Sequence, residues 1–249
     1  MYRNELPRVY ELRDLVTDPT KPDAYFSDFD SALQQYPEKK AIWLAREREF
    51  QRLDPASWLY LKREALPYLA KRDPGGRGWE QFVAILNQAR AHIYLVDTGC
   101  SAVRFVPRGS QSGAQTPDVE GLQGKRRALC EVKTINPSAV EIARREAGQG
   151  RSTTASLDCG FFRKLKSTLE SARAQLLAYD DSADVRRIAF LVLNFDDSFA
   201  EYKANYYAQI DQWLADHSIP GLEVAFYNQC TPFHVSITMQ NAQVINEAA

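Results

Sequence analysis

The sequence predicts an α/β fold in which a helical N-terminal segment precedes a central mixed β-sheet flanked by helices. Three observations carry this prediction. Apolar residues recur at helical spacing between 28 and 72, two strand-like runs flank a turn signal between 115 and 136, and 187–195 is a near-continuous apolar run. The last pattern is typical of a buried central strand. With 249 residues, 45% of them hydrophobic, the chain can bury one large core with or without a small appendage.

The N-terminal segment is predicted to be mostly helical. Its first 30 residues are rich in Pro and Asp, so we expect irregular structure with one short helix. Residues 28–52 are helix-prone, and the cap signal Asp54-Pro55 starts a second helix that extends to about residue 72. The stretch Asp-Pro-Gly-Gly-Arg-Gly at 73–78 breaks the pattern. We therefore divide the chain into a helical segment, 1–73, and a second domain, 74–249.

The second domain alternates helices and strands. Its predicted helices are 79–94, a short one at 140–147, 161–179 and 199–217. Its predicted strands are 101–107, one bearing Asp118, 127–135, 187–195, 222–227 and 233–239. We expect a loop at 148–156 and frayed structure at 241–249.

The predicted strand 127–135 carries two charges on one face. Residues two apart in a strand point the same way, so Glu131 and Lys133 share a face of an otherwise apolar strand. Burying such charges is costly unless they are paired. A hairpin across the Gln123-Gly124 turn would bring Asp118 beside them. Two carboxylates and a lysine on one sheet face could hold Mg²⁺, which takes oxygen ligands and keeps several waters.

These residues resemble a known nuclease motif. Pro117-Asp118, followed after twelve residues by Glu131-Val132-Lys133, is similar to the signature of the PD-(D/E)xK nuclease superfamily. The resemblance covers about 120 residues and implies a restriction-endonuclease-like core that hydrolyses phosphodiester bonds with Mg²⁺, for which Mn²⁺ can substitute. It assigns Asp118 and Glu131 as metal ligands and Lys133 as the catalytic lysine. An isolated Glu-x-Lys is common by chance, but the order helix, strand, strand, strand around it matches the superfamily.

The resemblance also indicates supporting residues. Glu80 matches an acidic position on the helix before the sheet, which would make it a third metal ligand. It could equally complement the positive end of the helix dipole. Gln175 and Tyr179 form a Q-x-x-x-Y, which resembles the RecB-type branch of the superfamily, and four residues apart they share a helix face. The 44 residues that separate Glu131 from Gln175 depart from the shorter spacing of that branch, so a surface Gln and a half-buried Tyr remain an alternative.

The charge distribution favours a polyanionic partner for the middle of the chain. The net charge is −1, but residues 101–175 contain 13 Lys or Arg against 7 Asp or Glu. Positive potential attracts nucleic acid. Within this part we select Arg151, in the predicted loop, and Lys164, on the polar stripe of the following helix, as nucleic-acid-binding candidates. A solvated loop is the alternative for Arg151.

The function predicted from these patterns is a metal-dependent nuclease that hydrolyses nucleic acid. We expect DNA as the substrate, although the sequence does not distinguish DNA from RNA. Two alternatives stay open: a catalytically silent subunit that binds nucleic acid or protein on the same fold, and a structural protein whose Glu131 and Lys133 form a mere ion pair. The N-terminal helices could mediate a homodimer or bind a protein partner.

The remaining sequence features concern cellular location. No apolar run reaches the ~18 residues of a membrane span, and the N-terminal residues lack the apolar core of a secretory signal. Four cysteines without a C-x-x-C pair argue against a zinc site and against a disulfide framework. We therefore expect a cytoplasmic protein that does not associate with a membrane.

Overall fold

A computed structural model describes residues 2–16, 25–70, 79–107, 116–136, 156–193 and 203–228, the segments 235–239 and 243–246, and positions 138, 143 and 147. The chain divides into two compact units, Met1–Tyr94 and Leu95–Ala249. The boundary predicted at 73/74 falls outside the described residues. The predicted helix 140–147 and loop 148–156 also lie outside them, except for positions 143, 147 and 156.

The N-terminal unit is helical throughout its described part. Its α-helices are α1 (Pro7–Arg13), α2 (Phe29–Gln35), α3 (Pro37–Gln51), α4 (Pro55–Ala65) and most of α5 (Glu80–Asp97), with a 3-10 turn at Leu66–Tyr68 after α4. The last three residues of α5 belong to the C-terminal unit. The cap predicted for α4 is confirmed, since the Asp54 carboxylate accepts the backbone N–H groups of Ala56 and Ser57 at 2.9 and 3.0 Å.

Proline explains both differences from the predicted helices of this unit. The helix expected over 28–52 is two helices, because Pro37 cannot donate a backbone hydrogen bond and disfavours helical geometry at Tyr36. Tyr36 accordingly has an extended backbone with φ −125° and ψ 92°. The helix expected to reach residue 72 ends at Ala65, where Pro67 lies in the 3-10 turn.

Aromatic side chains form the core of the N-terminal unit. The ring of Phe26 lies edge-on to Phe29 and Phe82 at centroid distances of 5.0 and 6.1 Å, and 5.7 Å from Trp43. All four side chains are buried. Edge-to-face aromatic pairs add stabilisation to the burial of their area, so this cluster joins α2, α3 and α5 with the segment before α2.

The C-terminal unit is built on a mixed sheet whose strands lie side by side in chain order. The strands are β1 (Ser101–Phe105), β2 (Val119–Gln123), β3 (Arg126–Ile135), β4 (Arg186–Leu193), β5 (Glu223–Asn228), β6 (Val235–Met239) and β7 (Gln243–Asn246). The pairs β3–β4 and β4–β5 are parallel and the others are antiparallel. Along the chain, α6 (Cys159–Tyr179) comes between β3 and β4, and α7 (Lys203–Asp216) comes between β4 and β5. The predicted α/β class is confirmed.

The expectation that 241–249 frays is wrong for its middle part. Gln243–Asn246 forms β7, which pairs with β6 through contacts such as Ile237 opposite Val244. An alternating pattern of four residues is too short to predict a strand. The strand is stabilised by its pairing with β6, which the local sequence does not show.

The hairpin predicted around Gly124 is confirmed. β2 and β3 pair antiparallel from Val119 opposite Cys130 to Gln123 opposite Arg126, which leaves Gly124 and Lys125 as a two-residue loop. Gly124 has φ +63°. Glycine at the first loop position supplies the positive φ that such a tight hairpin turn requires.

One face of the sheet packs against α6 and α7. β4 is buried along its whole length, as predicted for the apolar run. Its residues Ala189 and Leu191 join Leu129 of β3 in a core with Leu165 and Leu169 of α6. Because side chains alternate along β3, the face that carries Leu129 also carries Glu131 and Lys133. No described helix is long and apolar enough to cross a membrane.

Candidate active site on the β2–β3 hairpin

Asp118 lies immediately before β2 and is tied to β3 by two hydrogen bonds. Its backbone N–H donates to the carbonyl oxygen of Cys130 at 3.1 Å. Its carboxylate Oδ2 accepts the backbone N–H of Val132 at 2.8 Å. The acidic group is thereby fixed beside the segment of β3 that contains Glu131 and Lys133.

Glu131 is the most deeply buried charged group of this cluster. Its side chain is 4% exposed. Lys133 Nζ lies 2.6 Å from Oε1, and Gln175 Nε2 donates to Oε2 at 2.7 Å. Burial of a carboxylate is costly without such partners, so each oxygen of Glu131 is compensated by a donor.

Gln175 connects three parts of the chain at this site. Its Oε1 accepts a hydrogen bond from Lys133 Nζ at 3.2 Å. Its Nε2 donates to the carbonyl oxygen of Thr116 at 2.9 Å as well as to Glu131. Gln175 lies on α6, whose buried stripe packs on the sheet, so helix packing holds the amide against the two charged side chains.

The electrostatic balance of the site depends on Glu131. Burial, followed by the negative charge of Asp118, raises the pKa of Glu131 to about 8, against the opposing effects of Lys133 and Gln175. A carboxyl with a pKa near neutrality changes charge under ordinary conditions. A cation bound beside it would favour the ionised form, because opposite charges lower the pKa of an acid.

The donor set is that of a hard divalent cation. Asp118 and Glu131 supply carboxylate oxygens, and Mg²⁺ can be held by one or two carboxylates while it keeps several waters. Within the part of the chain that the structure describes, no group of three or more His, Cys, Asp or Glu residues could hold a metal ion. At this cluster the described carboxylate groups are those of Asp118 and Glu131.

The two remaining supporting residues are Glu80 and Tyr179. Glu80 is in the first turn of α5, in the N-terminal unit, where a negative charge complements the helix dipole. The hydroxyl of Tyr179 accepts a hydrogen bond from Arg127 Nη2 at 3.2 Å, and the Arg127 guanidinium lies over its ring. Four residues advance a helix by about 6 Å. Tyr179 therefore does not reach the same point on β3 as Gln175, contrary to the expectation from their shared helix face.

The two nucleic-acid-binding candidates have different outcomes. Lys164 is exposed on α6, close to its N-terminal end. Arg151 lies outside the described residues.

The sequence interpretation missed two features near the site. The Thr116 carbonyl that accepts from Gln175 has no signal in the sequence, because any residue offers a carbonyl. The second is Glu120, a buried carboxylate that binds Arg104 and Arg127. Its position two residues after Asp118 is a readable signal, since such residues share a strand face.

Cysteine chemistry is not favoured by the geometry. Cys130 lies between Leu129 and Glu131 and points to the other face of β3. Burial raises the pKa of its thiol well above the ordinary value. A thiol held in the protonated form is a poor nucleophile, so Cys130 is not a candidate nucleophile at this site.

Comparisons of the chain with protein-family models, with curated proteins and with solved structures gave no match. The interpretation of the site therefore depends on its residues and their geometry.

Proposed function

We propose that this protein is a metal-dependent nuclease that hydrolyses the phosphodiester bonds of DNA, with a restriction-endonuclease-like core of the PD-(D/E)xK type. The observation that supports it is the convergence of Asp118, Glu131, Lys133 and Gln175, with Lys133 Nζ 2.6 Å from a buried carboxylate oxygen. If Glu131 and Lys133 formed only a structural ion pair, the Asp118 carboxylate and the Gln175 amide would not be needed beside them.

In this proposal Asp118 and Glu131 hold Mg²⁺, or Mn²⁺ in its place. The cation would lower the pKa of a bound water and neutralise negative charge that develops on the phosphate. Lys133 orients the attacking water or a phosphate oxygen. A lysine ammonium has three N–H donors. Among the described residues, Glu131 and Gln175 engage two of those of Lys133, and the third would serve substrate or water. Gln175 holds the Lys133 ammonium and the Glu131 carboxylate in position through its hydrogen bonds to both.

The direct test is a cleavage assay with the pure protein. Linear and circular DNA, single and double stranded, and RNA would be incubated with Mg²⁺, with Mn²⁺ and with a chelator. We expect cleavage of DNA that requires metal, and we expect Lys133→Ala and Asp118→Ala to abolish it while circular dichroism stays unchanged. Lys166→Ala is the matched control, because Lys166 is an exposed lysine of α6 with only a loose ion pair, 3.9 Å from Glu170. Cleavage by Lys133→Ala at the wild-type rate would refute the proposal.

A second candidate is a binding subunit on the same fold that does not cleave. It is favoured by one observation: both oxygens of Glu131 are already engaged, by Lys133 and by Gln175. Titration calorimetry with Mg²⁺ separates the two. The nuclease predicts metal binding that Asp118→Asn weakens, whereas the silent subunit predicts DNA or protein binding that is indifferent to metal and to this substitution.

We also propose that the N-terminal unit binds a second copy of the chain or a protein partner. The exposed apolar side chains of Leu59 and Leu66 support this. Leu59 lies on α4, and Leu66 begins the 3-10 turn that directly follows it. Light scattering after size-exclusion chromatography tests it: a dimer that Leu59→Ser dissociates supports the self-association, and an unchanged monomer at all concentrations leaves only a different protein as partner.

A further inference from the structure

A second charged cluster lies beside the candidate site, centred on Glu120 of β2. The Glu120 side chain is 8% exposed. Its Oε1 accepts a hydrogen bond from Arg104 Nε at 2.7 Å and lies 2.5 Å from Arg104 Nη2 as an ion pair. Its Oε2 accepts from Arg127 Nη2 at 2.5 Å and Nε at 3.1 Å. One buried carboxylate thus holds two guanidinium groups.

The cluster and the candidate site share one face of the sheet. Glu120 pairs with Leu129 on β3 and with Arg104 on β1, and paired residues point to the same side. Leu129 alternates with Glu131 on that side, and Glu120 follows Asp118 by two residues. Two residues of a strand span about 7 Å, so Glu120, which holds both arginines, lies next to Asp118 along the chain and on the same face.

The two arginines offer positive charge to solvent. The side chain of Arg104 is 72% exposed and that of Arg127 37%. Arg127 also donates to Asp180 through Nη1 at 3.0 Å. Within the described residues, Arg104 has Glu120 as its hydrogen-bond partner, through Nε. Lys125 and Arg126 follow at the exposed hairpin tip. Two guanidinium groups therefore share the Glu120 carboxylate, and Asp180 is a second acidic partner of Arg127.

Glu120 orients these cations and remains ionised. Burial raises its pKa, but hydrogen bonds from Arg127 and Arg104 outweigh that effect, so the pKa of Glu120 lies below its ordinary value. A guanidinium already fixed by a carboxylate loses less conformational freedom when it binds a ligand. An exposed arginine in a surface ion pair contributes little to stability. Arg104 is therefore placed to bind an external anion at small conformational cost.

We propose that Arg104 and Arg127 form a clamp, oriented by Glu120, that binds a backbone phosphate of DNA close to the bond to be cleaved. The inference rests on the proposed nuclease function, since it names the part of the substrate that is held beside the same site. Arginine suits this contact because its planar group presents paired N–H donors to phosphate oxygens.

The test measures DNA binding without cleavage. Fluorescence anisotropy would follow a short labelled single-stranded DNA, and its duplex, with chelator present and salt varied from about 50 to 200 mM. For Arg104→Gln we expect affinity reduced about five- to tenfold and a slope of log K against log salt that is smaller by about one. Arg104→Lys keeps the charge, so its slope of log K against log salt should stay near that of the wild type. Its affinity should fall, because a lysine cannot donate two parallel N–H groups to a phosphate.

The matched control is Arg3→Gln. Arg3 is also an exposed arginine paired with a carboxylate, that of Asp14 at 2.6 Å, and its loss changes the net charge by the same amount. Unfolding midpoints of all variants would verify that they fold. We expect Arg104→Gln to fold because Glu120 keeps Arg127 as a partner when Arg104 is replaced. Wild-type affinity and salt slope in Arg104→Gln would overturn the clamp, as would an equal loss in Arg3→Gln.

Parallel cleavage assays separate this inference from the proposed function. If the wild type cleaves DNA with metal but Arg104→Gln binds normally, the clamp is refuted and the nuclease stands. If nothing is cleaved but Arg104→Gln loses affinity and salt dependence, the clamp stands and the nuclease is refuted. A wild type that binds neither DNA probe overturns both.

Discussion

Replacement of Glu131 by glutamine is expected to change how stability depends on pH. Glutamine retains the size of the side chain and an oxygen that can accept from Lys133, but it cannot ionise. In the wild type the pKa of Glu131 rises from an ordinary 4.5 to about 8 on folding, chiefly because the group is buried and secondly because Asp118 is near. Between these values the folded state holds a proton that the unfolded state releases.

The sign and the maximum size of the effect follow from linkage. Because the folded state binds more protons in this window, the free energy of unfolding falls as pH rises from about 4.5 to about 8. One proton contributes at most about 1.4 kcal/mol per pH unit. The stabilising contribution is fully present below the unfolded pKa and is lost as pH passes the folded pKa. Glu131→Gln should remove this slope and be relatively more stable at high pH.

Urea unfolding followed by circular dichroism in chelator, at intervals from pH 5 to pH 8.5, measures the effect. The informative quantity is the difference between wild type and Glu131→Gln, since other titrating groups cancel in it. Glu170→Gln is the control, because Glu170 is an exposed carboxylate of α6. A difference that stays constant across the whole pH range would refute the reasoning about burial of Glu131.

Three further substitutions test individual contacts by urea unfolding. Gln175→Leu removes the donor to Glu131 and the acceptor for Lys133, and should cost about 1 to 3 kcal/mol; a neutral effect would mean that the amide is not needed. Asp54→Ala removes the cap of α4 and should cost about 1 kcal/mol, whereas Asp54→Asn, which still accepts, should cost clearly less. Gly121→Ala should cost about 1 to 3 kcal/mol, because a Cβ there would lie 3.1 Å from Val103 Cγ2; an unchanged midpoint would show that β1 can shift.

The sequence predicted the parts of the fold that local patterns determine. The alternation along 127–135 and the glycine at 124 specify a hairpin without help from the rest of the chain, and the apolar run before residue 195 specifies a strand buried on both faces. The split at Pro37 was equally readable, because proline acts on its own backbone and on the residue before it. Helical propensity over 28–52 obscured that signal.

The candidate site was predictable where strand alternation decides it and not where helix docking does. Glu131 and Lys133 share a face by alternation alone, and a hairpin brings Asp118 to them. Whether Gln175 or Tyr179 contacts them depends on how α6 lies on the sheet, which no local pattern contains. Gln175 and Tyr179 lie four residues apart on one helix face, and this spacing alone does not show which of them reaches the site. In the structure Gln175 contacts Glu131, whereas Tyr179 contacts Arg127.

The order of the strands also bears on how the C-terminal unit folds. The β2–β3 hairpin closes a two-residue loop, whereas the parallel pairing of β3 with β4 first joins Ala128 to Arg186. Closing the longer loop costs about 2.5 kcal/mol more in chain entropy, so we expect the hairpin to form first and the crossover through α6 to follow. Pulse-labelled hydrogen exchange should then protect β2 and β3 before β4, and the reverse order would contradict this. Asp118 and Glu131 would thus come together early in folding. The Gln175 amide, which joins them to Lys133, would reach the site only when α6 packs on the sheet.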